Sequence, residues 1–93
     1  METEVYRENA KKVIDELFIR IDELDKNKEN IRHLTAEKRD NLIEELKTRK
    51  AELQHKFEML KQVPEERWDE AKTSFKASID YFSEGVSRLA NSN

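Results

Sequence analysis

The chain has 93 residues, one domain's worth, and is read as a single helical domain over residues 1–93. Charged residues make up 42% and hydrophobic ones 35%, with a net charge of −3, one Gly and one Pro. That balance is too poor in turn-formers for a β-sandwich, and its apolar residues recur too regularly for a disordered chain.

The first segment carries Ala10, Ile14, Leu17, Ile21, Leu24 and Ile31 at alternating four-three spacing, interrupted by Lys28. This spacing holds one stripe of a helix against a partner, as in a heptad seam. Val13 and Phe18 widen the stripe enough for two neighbours, while Ile19 points elsewhere. Glu8–Lys12, Glu16–Arg20 and Asp22–Lys26 sit four apart in the favourable order, each pair contributing roughly 0.2–0.5 kcal/mol.

The apolar stripe lapses from Asp25 to Asn30. Thr35 then offers a cap, with Glu37 in the following turn near the positive end of a helix dipole. Ile43, Leu46, Lys50, Leu53, Phe57 and Leu60 continue at three-four spacing in a different phase. A break between about residues 27 and 35 is therefore expected. The alternative is one unbroken helix from residue 4 to 62, since neither Gly nor Pro interrupts it.

Pro64 biases Val63 away from helical angles and suits a first helical turn, with Glu65 and Glu66 following. The third helix aligns Trp68, Ala71, Phe75, Ile79, Phe82, Val86 and Leu89, with small Ser78 and Gly85 beside them. Small residues there let a neighbouring helix approach closely. Gly85 also costs about 1 kcal/mol relative to Ala inside a helix and could mark fraying. The tail from Ala90 to Asn93 is expected to be loose. Three helices of roughly 22–28 residues, about 33–42 Å long, pack most simply up-down-up. The expected fold is all-α: an antiparallel three-helix bundle, or a helical coiled-coil hairpin plus a third helix.

Few residues invite a chemical role. Glu52 and His55 share a helix face in the Glu-x-x-His spacing of di-iron bundles, but such sites need two of these motifs and two further glutamates. A homodimer could supply a second copy; a solvated pair is the simpler reading. His33 and Glu37 are four apart beside the expected turn, where capping or surface placement suits them better than ligation. One glycine allows no phosphate loop, and Glu44 and Glu45 diverge on a helix, so no catalytic residues are assigned. Lys47-Thr48-Arg49-Lys50 is the densest basic patch, yet Glu44, Glu45 and Glu52 flank it, which argues against nucleic acid. Trp68, Phe75, Tyr81 and Phe82 could grip a membrane interface, but the polar face beside them carries more acids than bases.

Zero cysteines exclude disulfides, thiolate metal sites and a cysteine nucleophile. The acidic opening residues lack the basic start and apolar run of a secretion signal, and no stretch approaches a membrane span, so a cytoplasmic location is expected. No cofactor or metal is called for.

The residues 42–47 (Leu-Ile-Glu-Glu-Leu-Lys), 57–61 (Phe-Glu-Met-Leu-Lys) and 68–72 (Trp-Asp-Glu-Ala-Lys), continued by Phe75, Ser78, Ile79 and Phe82, resemble a bacterial family of small coiled-coil proteins of the stress-response type. Ile14-Asp15-Glu16-Leu17 and Ile21-Asp22-Glu23-Leu24 extend the likeness into the first helix. Ser74 stands where family members commonly carry Gly, and a second Trp near Ile79 is missing. The resemblance implies a helical, non-enzymatic protein linked to stress. The expected function is structural or protein-interaction work, through a protein partner or self-association into a homo-oligomer. Val5, Tyr6, Ile19 and Tyr81, which fit poorly in one three-helix core, are the candidate contacts. The alternative is an amphipathic module on membrane surfaces.

Overall fold

The computed structural model describes residues 2–90. Three helices follow in order: α1 over Glu2–Lys26, α2 over Ala36–Leu60 and α3 over Trp68–Ala90. Arg7 near the start of α1 meets Leu60 at the end of α2, and Lys56 of α2 meets Ser78 of α3. Neighbours in sequence therefore run antiparallel, giving an up-down-up bundle of 46 × 20 × 18 Å with no strand among the described residues. Of the tail expected to be loose, Ala90 instead ends α3, and residues 91–93 lie outside the described residues.

The chain breaks where the apolar stripe lapses, so residues 4–62 are two helices. Asn27 ends α1 by donating from both its backbone N–H and its side-chain amide to the Glu23 carbonyl, each at 3.0 Å. A short 3-10 turn spans Lys28–Asn30, and Ile31 tucks into the core. Thr35 then adopts extended angles and its hydroxyl accepts from the Lys38 N–H at 3.2 Å, satisfying one of the donors a new helix leaves open. At the second link Pro64 is extended too, and precedes a 3-10 turn over Glu65–Arg67 that runs directly into α3. Its fixed φ and missing donor fit a position before the helix rather than within it.

The core is one cluster. Ile14 and Ile21 of α1 meet Leu46, Leu53 and Leu60 of α2 and Phe75, Phe82 and Leu89 of α3, all almost fully buried. Each such side chain contributes about 1.5–3 kcal/mol by leaving water. Phe18 sets its ring edge towards Phe82 at 5.7 Å. Lys50 holds an apolar position of the α2 stripe by sending its ammonium out over the Phe18 ring at 5.1 Å, to Asp22 at 3.3 Å. Leu17, Leu24, Trp68, Ala71 and Ile79 pack around this centre half-buried.

α3 packs more extensively on α2 than on α1. Gly85 is buried against Leu46, and Ser78 takes a 2.7 Å hydrogen bond from Lys56, so the small residues of α3 lie along its α2 side. The helix continues to Ala90, so Gly85 marks a close approach and no fraying.

The ionic pattern of α1 differs from the expected ladder. Lys11 pairs with Asp15 at 2.9 Å, while Asp22 and Asp25 reach across to Lys50 and to Lys47 of α2, the latter at 2.8 Å. The expected Asp22–Lys26 pair gives way to Lys50 across the α1–α2 seam, and Glu8–Lys12 and Glu16–Arg20 stand open to solvent without closing.

Candidate protein-interaction surface

The residues singled out for chemistry are dispersed. Glu52 lies 3.6 Å from Arg49, and His55 is exposed on the same outer side of α2. Among the described residues no three acidic or histidine side chains converge as a metal ion would need. His33 is turned away from ligation: its Nε2 donates to the Arg88 carbonyl at 2.7 Å, closing the last turn of α3. The role is a cap, but on a helix distant in sequence.

The basic patch is matched charge by charge. Lys47 faces Asp25, Lys50 faces Asp22, and Arg49 lies 3.9 Å from Glu45. The hydrogen bond from Lys47 to Asp25 holds its ammonium above the usual lysine range. Such pairing leaves little of the free positive field that phosphate backbones require.

The aromatic side chains of α3 divide. Trp68, Phe75 and Phe82 turn inward, and Tyr81 stays outside at 50% exposure. Its hydroxyl donates to Glu45 at 2.7 Å under the Arg49 guanidinium, which stacks 4.5 Å from the ring centre. The Glu45 hydrogen bond raises the phenol above its ordinary value of 10.0.

Tyr6 is a correction. Rather than standing free for a partner, it is half-buried, with its ring perpendicular to Trp68 at 5.7 Å and Lys72 over its face. Burial raises its phenol as well. Its neighbour Arg7 was not singled out by sequence: it donates to the Leu60 carbonyl at 3.1 and 2.7 Å and places its guanidinium 5.4 Å from the Trp68 ring centre. Tyr6 and Arg7 thus clamp Trp68 to the end of α2.

Apolar surface remains at Val5, Ile19 and Tyr81, as expected, and also at Val13 and Met59. Val13 and Ile19 of these line one groove. From α1 come Val13, Leu17, Ile19 and Leu24; the first link and α3 close it with Ile31 and Leu89. The groove is open to solvent on one side and has a volume of about 1120 Å³. It exists because α1 and α3 approach each other less fully than α2 and α3 do. Glu16, Arg20 and Glu23 form its charged edge. Val13 counted as stripe-widening in the sequence; its four-residue step from Asn9 and three-residue step to Glu16 place it on the margin between core and edge.

No family model matches the chain, and neither a curated protein nor a solved structure matches it. The resemblance to small coiled-coil stress proteins rests on the residue pattern alone.

Proposed function

We propose that this protein works by binding protein surface, chiefly a further copy of itself, and carries out no reaction. The groove between α1 and α3 supports this reading: exposed Val13 adjoins half-buried Leu17 and Leu24 as an apolar strip, with exposed Ile19 across the charged row of Glu16, Arg20 and Glu23. A bundle of this size gains most from extending its limited core by association. No described polar or charged residue is buried. The cysteine-free composition fits a cytoplasmic location, and the resemblance to coiled-coil stress proteins makes stress the setting.

The membrane alternative draws on the aromatic residues of α3, but Trp68, Phe75 and Phe82 are spent on the core. Among the described residues no helix is long and apolar enough to cross a membrane.

Light scattering combined with circular dichroism tests the proposal. A helical species heavier than the 11.1 kDa chain is expected, with its mass rising with concentration. A strictly monomeric helical protein at every concentration overturns self-association. Flotation with anionic vesicles is expected to leave the protein in the unbound fraction; co-flotation would favour the alternative.

A further inference from the structure

We infer that a second copy docks antiparallel along the α1 edge of this groove, with Glu16 of each chain facing Arg20 of the other. The inference rests on the self-association reading and specifies its face, direction and register.

Val13, Glu16, Arg20, Glu23 and Asn27 line the groove at three-four spacing, which makes them one straight row on α1. The row spans about 21 Å at 1.5 Å per residue, roughly four helical turns. Leu17 and Leu24 lie beside it, half-buried, as the apolar strip a neighbouring helix would cover. Among the described residues, neither Glu16 nor Arg20 has an opposite charge within 4 Å, although they sit four apart on the same helix.

The signs of the row choose the direction. A parallel pair about a two-fold axis would set Glu16 on Glu16, Arg20 on Arg20 and Glu23 on Glu23, repelling at every charged step. Reversing one helix about an axis level with Phe18 brings Glu16 to the partner's Arg20 and, by symmetry, Arg20 to the partner's Glu16. Val13 then meets the aliphatic stem of the partner's Glu23. Sliding to centre on Arg20 would oppose the two arginines, whereas centring between Ile21 and Asp22 would pair Arg20 with the partner's Glu23 but set Val13 against the partner's Asn30. Covering Val13 with an aliphatic stem favours the register level with Phe18.

Sedimentation equilibrium on the full chain supplies the test. Arg20→Glu and Glu16→Arg, both at exposed positions, should each weaken dimerisation at least about tenfold while circular dichroism stays unchanged. The exchanged variant Glu16→Arg/Arg20→Glu should bring affinity back to within about threefold of the original, because the swapped row regenerates both pairs. The natural absence of cysteine allows a geometric readout. Glu16→Cys mixed with Arg20→Cys should oxidise mainly to the heterodimer, since only facing positions come within disulfide range. Loss without rescue, or Glu16→Cys cross-linking mainly to itself, overturns the antiparallel register. A dimer indifferent to all the charge changes overturns it too, yet leaves self-association standing through another face; a monomeric parent protein overturns both.

Discussion

Gly85 lies directly beneath Leu46: a methyl group on its Cα would stand 2.6 Å from Leu46 Cδ2 and 3.4 Å from Cγ and Cδ1. Its backbone φ is negative, so glycine is needed for space rather than for backbone freedom. Leu46 is almost fully buried and has little room to swing aside. Gly85→Ala should therefore lower stability by about 1 kcal/mol, overpacking of about 1–3 kcal/mol outweighing the helix-propensity gain of about 1 kcal/mol. In a Leu46→Ala background the same change should stabilise, by up to about 1 kcal/mol, because only the propensity term remains. Urea denaturation of the four proteins measures the sign reversal, and equal effects in both backgrounds would remove the contact.

Trp68 carries the junction of all three helices. Trp68→Ala should cost about 3 kcal/mol, at the low end for such truncations because the ring is half-exposed. Arg7→Ala should cost about 1–2 kcal/mol through the lost bonds to Leu60, discounted for their partial exposure. The pair should couple by about 0.5–1 kcal/mol in a double-mutant cycle. A Trp68→Ala loss below about 1 kcal/mol in denaturant would place the ring outside the core.

The Tyr81 hydroxyl should titrate above 10.0, since its ionised form would face the Glu45 carboxylate that the neutral form donates to. A pKa raised on folding means that this contact helps below pH 10.0 and is lost as pH climbs through the folded value. Glu45→Gln should bring the phenol down towards its ordinary value. Ultraviolet absorbance of tyrosinate follows it, with Tyr6→Phe as background; an unmoved titration in Glu45→Gln would assign the shift elsewhere.

Local chemistry was legible in the sequence where it acts through the backbone. Thr35 and Pro64 mark helix starts by what their own atoms can and cannot bond, so the breaks fall where composition put them. The stripes found the core because burial follows helical period. Tyr6 was misplaced, and Arg7 overlooked, because their partners Trp68 and Leu60 are adjacent in the fold but far away in sequence, beyond any local pattern. The expected Asp22–Lys26 pair failed for the same reason: Asp22 has a competing cation, Lys50 on α2, that sequence proximity does not reveal. The groove was half legible. Ile19 is plainly off the stripe, but the exposure of Val13 depends on how far α3 stands from α1, a distance no single helix encodes.

The helix ends have a consequence for how the molecule comes apart. The closing turn of α2 is held by Arg7 of α1, that of α3 by His33 from the first link, and the Lys28 carbonyl after α1 by Arg39 of α2. The last turns of α2 and α3 are thus finished by atoms from other stretches of chain, whereas α1 ends on its own Asn27 and only the turn after it is tied to α2. Severed from the rest, α2 and α3 would each lose the group that closes their last turn, so the bundle is expected to melt in a single transition.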